Sequence, residues 1–155
     1  MPNHCHNRVT FYSANTEAVA KLKQIFEDEN CFTQIIPEPD WANTPLLTSD
    51  NHYGTKYGND GELPQMSTDG FPRLVFKSTD QIDDRWYDWR GQNWDTKWDA
   101  YDVVVTDDDP ESVEIEFNTA WSPPEAICNQ IREDYPDVSV SWFYDEPGCE
   151  IAGYL

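Results

Sequence analysis

The chain has 155 residues, which suits a single domain with a sizeable hydrophobic core. Thirty acidic residues face ten basic ones, and the formal net charge of −20 disfavours direct binding to nucleic acid or to an anionic membrane surface, because like charges repel. Solubility explains this charge without any partner, whereas a basic partner, or imitation of DNA toward a DNA-binding enzyme, are the functional alternatives.

Three elements are predicted in the first quarter of the chain. Apolar and polar residues alternate in RVTFYS (Arg8–Ser13), which is the pattern of a half-buried strand. A helix follows over ANTEAVAKLKQIFEDEN, where Asn15 is a candidate N-cap and apolar residues recur at helical spacing. The segment CFTQII (Cys31–Ile36) is then predicted as a second strand that ends at Pro37.

The stretch from about residue 41 to residue 85 shows no sustained period and is rich in Gly, Asn, Asp and Ser. We predict a long insertion here, with one short strand at RLVFK (Arg73–Lys77). Irregular segments of this length inside a compact domain are often functional or mobile.

The second half of the chain has clearer elements. Strands are predicted over four segments: YDVVVT (Tyr101–Thr106), SVEIEF (Ser112–Phe117), VSVSWFY (Val138–Tyr144) and EIAGYL (Glu150–Leu155). A helix is predicted between the second and third of these strands. Ser122 as N-cap, Pro123 at the first helical position and Glu125 three residues after the cap form a candidate capping box for it.

This order of elements predicts an α+β fold of the ferredoxin-like type. It is a βαββαβ antiparallel sheet with two helices on one face, extra strands, and the long insertion after the second strand. We interpret residues 1–155 as one such domain with an insertion at about 41–85. An α/β sandwich with another strand order is the alternative. The alternation within the strands argues against a doubly wound parallel sheet, whose strands are apolar on both faces.

The N-terminal HCH tripeptide is a candidate metal site. On a strand, His4 and His6 point to the same face, and a zinc ion would need two further ligands from His52, Cys31, Cys149 or a carboxylate. The chain has no HExxH motif and no CxxC pair. We therefore predict no metal and no cofactor, and we expect the four cysteines to be free thiols.

Catalytic motifs are equally hard to find. The chain lacks the G-x-S-x-G elbow and a Gly-rich phosphate loop, and no carboxylate pair stands out among thirty acids. Cys5 and His52 could be combined into a catalytic Cys–His pair, but no motif in the sequence supports that pairing. The outward residues of SVEIEF are glutamates, which is unlike the aromatic and basic sheet face of RNA-recognition domains. The sequence thus favours a binding protein over an enzyme.

Membrane and secretion signals are also missing from the printed sequence. No apolar run approaches the ~18 residues of a membrane-spanning helix. The N-terminal residues lack a basic stretch followed by an apolar one, so they do not have the pattern of a secretion signal. We predict a cytoplasmic protein.

The segment WYDWRGQNWDTKWDAYD holds four tryptophans, at positions 86, 89, 94 and 98, that keep no single helical or strand period. Exposed rings beside aspartates would suit a sugar, and buried rings would fill the core under the insertion. The sequence leaves both interpretations open.

Four segments resemble the YubB ferredoxin-like family of small proteins from phages, plasmids and bacteria. They are MPNHCHNRV, NWDTKWDAYD, FNTAWSPP and YDEPGCEIAGY, and they span nearly the whole chain. The matches to the family's opening pattern are Asn3, Cys5 and Asn7, with His4 at the position of a tryptophan. The matches to its Trp-Gly-Thr-Lys-Trp pattern are Trp94, Thr96, Lys97 and Trp98, with Asp95 at the glycine. The resemblance implies the ferredoxin-like fold and a phage or plasmid origin, but no reaction.

These matches suggest one polar, aromatic-lined cluster as the candidate binding site, mostly structural in role. Its members are Asn3, Cys5, Asn7, Trp94, Thr96, Lys97, Trp98, Thr119 and Trp121. Our leading hypothesis is a non-catalytic acidic accessory protein of a phage or plasmid, acting in the host cytoplasm. It would bind a host macromolecule, foremost a basic or DNA-binding protein, with DNA mimicry as a sharper version. The alternative is a small-molecule or glycan binder, or an enzyme, that uses the cluster around Lys97.

Overall fold

The structure is a computed structural model, and it describes residues 3–51 and 57–155. It divides into two compact units, Met1–Pro37 with Arg90–Leu155, and Glu38–Trp89. The helices are α1 (Thr16–Glu27), α2 (Cys31–Ile35), α3 (Arg85–Asn93) and α4 (Glu125–Asp134). The strands are β1 (His4–Tyr12), β2 (Gln65–Met66), β3 (Leu74–Phe76), β4 (Gln81–Ile82), β5 (Tyr101–Asp109), β6 (Ser112–Ala120), β7 (Ser139–Glu146) and β8 (Ile151–Tyr154). In the part of the chain that the structure describes, no helix is long and apolar enough to span a bilayer.

The first unit contains a five-stranded antiparallel sheet in the order β5-β6-β1-β7-β8. Strand β1 therefore lies between β6 and β7, and α1 and α4 form the two crossovers. Without β8, this is the βαββαβ plan with both helices on one face. The predicted ferredoxin-like fold is confirmed, and β8 extends its sheet by one strand.

The core of this unit lies between the sheet and the helices. Alternate residues of β1 and β6 are buried, as the sequence pattern predicted. Phe26 of α1 lies at the centre, with ring centroids 5.7 Å from Phe11, 5.3 Å from Phe117 and 6.3 Å from Trp142. Each such buried ring contributes roughly 1.5–3 kcal/mol relative to an exposed one.

The predicted strand at Cys31–Ile36 is wrong, because Cys31–Ile35 is the short helix α2. Its own N-cap residue, Asn30, makes no side-chain capping bond. Instead, Asp99 Oδ1 accepts hydrogen bonds from the Phe32 N–H at 3.1 Å and from Cys31 Sγ at 3.2 Å. The second strand of the ferredoxin-like sheet is β5, so the long insertion precedes that strand rather than following it.

The predicted capping box at Ser122 is also wrong. Helix α4 begins at Glu125, and its N-cap residue, Pro124, makes no side-chain capping bond. The cap comes from a distant segment, since Asp95 Oδ2 accepts a hydrogen bond from the Ala126 N–H at 2.9 Å. The Ser122 hydroxyl donates to the carbonyl oxygen of Asp95, which holds that segment in place.

The second unit has its own small core and a three-stranded sheet in the order β2-β3-β4. The predicted strand near Arg73–Lys77 is confirmed as β3. Leu46, Tyr57 and Phe76 form a buried cluster. The buried Arg85 guanidinium forms an ion pair with Asp83 at 2.9 Å and lies over the Phe76 ring at 5.3 Å. Both charges are almost fully buried, so loss of Arg85 would leave the Asp83 carboxylate buried without its ion-pair partner.

Candidate functional site

A buried polar network connects three strands on the helix-facing side of the sheet. Asn7 of β1 donates from Nδ2 to the Cys5 carbonyl at 3.1 Å and to Thr119 Oγ1 at 3.0 Å. Its Oδ1 accepts the indole N–H of Trp142 at 3.0 Å. The Thr119 hydroxyl donates a hydrogen bond to the carbonyl of Ser122 at 2.7 Å. Because these buried polar atoms have partners, the network rigidifies the core.

The segment Trp94–Asp99 forms hydrogen bonds to several separate elements of the first unit. Trp94 is buried, and its indole N–H donates to the carbonyl of Ile36 at 3.0 Å. Thr96 is also buried and donates to the carbonyl of Ala120 at 3.0 Å. Asp95 caps α4 and Asp99 caps α2, as described above. The two aspartates, four residues apart, therefore stabilise the starts of two different helices.

The structure divides the predicted cluster into an interior part and a surface part. The interior part contains Cys5, Asn7, Trp94, Thr96 and Thr119, all of which are buried. Asn3 joins them through its carbonyl, which accepts the N–H of Trp121 at 2.9 Å. The surface part contains Trp98 and Trp121, which are 38% and 47% exposed, and the partly exposed Lys97, with Nζ 4.8 Å from the Trp98 ring centre. The interior residues have the contacts of a scaffold.

The surface part continues onto the sheet face that points away from the helices. We call the outward residues along this face the open-face strip: Trp98, Tyr101, His4, His6, Asn118, Arg8, Phe143 and Tyr154. Each member contacts the next or lies beside it in the sheet. The contacts are Trp98–Tyr101, Tyr101–His4, His6–Asn118, Arg8–Phe143 and Phe143–Tyr154. The strip therefore crosses the sheet from the β5 side to β8.

A groove of about 290 Å³ lies in the middle of the strip. Three carboxylates line it, those of Asp102, Glu116 and Asp145, together with the Phe143 ring. Asn118 Nδ2 donates to Asp102 at 3.2 Å, so its Oδ1 is left to accept from His6 Nδ1 at 2.6 Å. Aromatic surface next to several carboxylates is suited to a cationic group.

The hairpin of β5 and β6 extends this negative surface. The sequence from Trp98 to Ile131 contains nine acidic residues and no lysine or arginine. Carboxylates at Asp107, Glu114 and Glu116 share the outward face, because Asp107 pairs with Glu114 and β6 alternates. One cation comes from outside the hairpin, since Lys23 of α1 forms an ion pair with Asp108 at 2.7 Å.

The four thiols lack the properties of activated nucleophiles. All four cysteines are free. Burial raises the pKa of Cys5 to about 11 and also raises the pKa values of Cys31 and Cys128. Cys149 is exposed, but a hydrogen bond to Glu146 raises its pKa as well. A raised pKa lowers the thiolate fraction, and the thiolate is the reactive form.

The two histidines of the HCH tripeptide, considered above as metal ligands, form hydrogen bonds to neighbouring side chains. His4 bonds to the Tyr101 hydroxyl, and His6 bonds to Asn118. Within residues 3–51 and 57–155, no three His, Cys, Asp or Glu side chains are grouped so that they could hold a metal ion. His52, the further ligand considered from the sequence, lies outside the described residues.

Sequence reasoning missed the two aspartates that cap helices. Asp95 and Asp99 flank the Thr-Lys-Trp motif, but they act on helices that begin 30 residues later and 68 residues earlier. It also missed Arg90, which lies over Trp94 with its guanidinium 4.9 Å from the ring centre. The open-face strip could have been found, because strand alternation predicted the outward positions of β1, β6 and β7.

Comparison with known proteins gives the class of the C-terminal part of the chain. Residues 93–155 match the family model described as the ferredoxin-like domain in Api92-like protein. This agrees with the fold and includes strands β5 to β8. A search of curated proteins found no match.

One solved structure is similar over nearly the whole chain. It is the crystal structure of protein api92 from Yersinia pseudotuberculosis, with a TM-score of 0.55 and 10% sequence identity. The match covers 99% of this chain and 93% of that one. At this identity the likeness shows the fold alone. The ferredoxin-like fold that the resemblance implied is thus confirmed, with matches that are described as Api92-like. The YubB family name stays a prediction.

Proposed function

We propose that this chain is a non-catalytic binding protein, of phage or plasmid origin, that engages a basic macromolecular partner. The proposed binding surface is the open-face strip with the outward carboxylates of the β5–β6 hairpin. The favoured partner is a host protein, met in the cytoplasm.

One observation carries the proposal: an exposed sheet face combines a groove, aromatic side chains and a continuous set of carboxylates. Charge on such a face steers a basic partner toward it and raises the association rate. The aromatic members then give contact area at the centre of the interface. Arg8 is the one lysine or arginine among the residues that line the groove.

Binding is favoured over catalysis because of the side chains that most often act as bases and nucleophiles, the histidines and the thiols. The histidines of the strip bond to Tyr101 and Asn118, and the thiols have raised pKa values. The alternative of a small-molecule or glycan site around Lys97 is less favoured. Two of its members, Trp94 and Thr96, are buried and bond inward, so that of its aromatic residues Trp98 and Trp121 are the exposed ones.

DNA mimicry is the sharper version of the proposal. Same-face carboxylates two residues apart on a strand, such as Glu114 and Glu116, lie roughly 6.6–6.8 Å apart along the chain direction. A regular row of negative charge is what a DNA-binding protein recognises nonspecifically on a phosphate backbone. The partner would then be a protein whose DNA-binding surface is occupied.

The test is affinity capture from host lysate at low and at moderate salt, with proteins identified by mass spectrometry. The test variant combines Asp107→Asn, Glu114→Gln and Glu116→Gln. The control variant has the same net charge through Glu29→Gln, Glu133→Gln and Asp134→Asn, which are exposed positions on or next to the helices that cover the other side of the sheet. We expect one basic partner, weakened by salt and by the test variant but retained by the control. Capture of no specific partner, or equal loss in both variants, would contradict the proposal.

Competition with duplex DNA separates mimicry from ordinary binding. If the chain imitates DNA, added duplex displaces the captured partner. If the partner is captured but the duplex leaves it bound, mimicry is wrong while the binding function stands.

A further inference from the structure

The two edges of the five-stranded sheet differ sharply. Strand β5 has register shifts at two places, and it carries Asp102 and Asp107–Asp109. Bulges and charges of this kind prevent an edge from pairing with another chain. Strand β8 has neither, since its sequence is uncharged and its four pairs with β7 run without a shift.

The outer edge of β8 presents unpaired backbone groups. Leu155 donates its N–H to the carbonyl of Trp142 at 2.9 Å, and Phe143 lies opposite Tyr154. Bonded and non-bonded pairs alternate in an antiparallel ladder, so Ile151 and Gly153 bond to β7. Ala152 and Tyr154 therefore turn their N–H and C=O groups outward. Among the described residues, no strand pairs with this edge.

We infer that β8 pairs antiparallel with β8 of a second copy of this chain, around a two-fold axis at Gly153. In this register Ala152 and Tyr154 of opposite copies exchange hydrogen bonds, which gives four bonds in all. Registers shifted by two residues use fewer of these groups.

The side chains are complementary in the same register. Tyr154, which is 69% exposed, lies beside Ala152 of the second copy, and Ile151 lies opposite Leu155. Gly153 faces Gly153 at the axis, where the backbones of a non-bonded pair approach most closely. No charged side chain enters the paired segment, and this favours a second copy over a basic peptide.

Salt distinguishes this inference from the proposed function, on which it does not depend. Two copies, each with a formal charge of −20, repel one another, and salt screens that repulsion. Self-association through β8 strengthens as salt rises, whereas binding of a basic partner weakens.

Cysteine cross-linking tests the register, in a chain that carries Cys149→Ser to remove the exposed thiol. Gly153→Cys places two cysteines about 4.5 Å apart between Cα atoms, within reach of a disulfide. Ala152→Cys places them about 8 Å apart, beyond the limit for bridging. The new Cβ at Gly153 meets its own chain only at ordinary contact distance, 3.4 Å from the Tyr144 hydroxyl.

We expect a covalent dimer of the Gly153→Cys chain after mild oxidation at about 1 M salt, where screening is strong, and little of the Ala152→Cys dimer. Analytical ultracentrifugation of the unaltered chain measures the dimer fraction as the salt concentration is raised. Ala152→Pro removes one outward N–H per copy without touching the bonds to β7, and it lowers the association constant roughly tenfold or more. A monomer at every salt concentration, equal cross-linking of both cysteine variants, or a dimer unchanged by Ala152→Pro would overturn the inference.

Discussion

The two faces of the five-stranded sheet follow the same alternation but have opposite chemistry. On the helix-facing side, Asn7 and Thr119 are buried, and their side chains bond to carbonyls, to each other or to an indole. On the open face, Glu116 and Asp145 border the groove. The buried members of the predicted cluster thus belong to the scaffold, whereas the proposed function depends on outward residues of the same strands.

The largest expected difference between buried and exposed positions is in thiol reactivity. We expect Cys149 to react with a thiol reagent at least about a thousandfold faster than Cys5, because Cys5 becomes accessible only on unfolding. The raised pKa of Cys149 means that its rate keeps rising above about pH 8.5, the usual pKa of a thiol. Mass spectrometry of timed labelling measures both, and in denaturant all four cysteines react alike. Labelling of Cys5 at the rate of Cys149 would show that the helix-facing side is open.

The next effect is on stability through the buried network. Asn7→Leu keeps the branched shape but leaves the Trp142 indole N–H without its acceptor and removes the two bonds that Asn7 Nδ2 donates. We expect a loss of about 3 kcal/mol in the free energy of unfolding. Asn118→Leu, on the open face, removes hydrogen bonds that are more exposed to solvent than those of Asn7. We expect it to lower the free energy of unfolding by less than about 1 kcal/mol. Urea denaturation measures both variants. A similar cost for the two would erase the distinction between the faces.

A smaller effect is expected at the aspartate that caps α4. Asp95 has a left-handed backbone with φ of 63°. Asp95→Ala removes the cap and places alanine in that conformation, so we expect about 2 kcal/mol of destabilisation. Asp95→Asn retains an acceptor and tolerates the backbone, and it should cost less than about 1 kcal/mol. Thermal unfolding followed by circular dichroism tests the order, and equal costs would mean that the cap contributes little.

The smallest effect is expected at the open face. Glu116→Gln removes a charge from the groove, and we expect the free energy of unfolding to change by less than about 0.5 kcal/mol. The same urea experiment measures it, with Asn7→Leu as the reference for a structural position. Destabilisation beyond about 1 kcal/mol would assign Glu116 to the fold rather than to binding.

Local pattern predicted the parts of this fold that depend on neighbouring residues. The alternation in Arg8–Ser13, Ser112–Phe117 and Val138–Tyr144 predicted β1, β6 and β7, and the apolar stripe predicted α1. These elements decide which residues enter the core, so the ferredoxin-like plan could be derived from them. The same alternation predicted that Arg8, Glu116 and Phe143 point outward, which places them on the open face.

The elements that were missed depend on distant residues. Cys31–Ile36 is a short apolar run that suits a strand or a helix equally. Its helical form is stabilised by Asp99, which lies 68 residues after Cys31 in the sequence. Ser122 and Glu125 have the spacing of a capping box, but Asp95 takes that role across 31 residues. The division of the predicted cluster into an interior and a surface part could not be predicted for the same reason. The interior partners of Trp94 and Thr96 lie in distant segments that the spacing of residues in the sequence does not connect.

The position of β1 also affects the order in which the chain can fold during synthesis. Strand β1 is made first, yet its two neighbours in the sheet, β6 and β7, begin 100 or more residues later. At translation rates of about 5–20 residues per second, the apolar side of β1 waits roughly 5–20 s for β6. During that time Val9 and Phe11 have no strand to pair with, and a chaperone that covers short apolar segments would find its target there. The second unit, whose contacts are contiguous in the sequence, has no such delay.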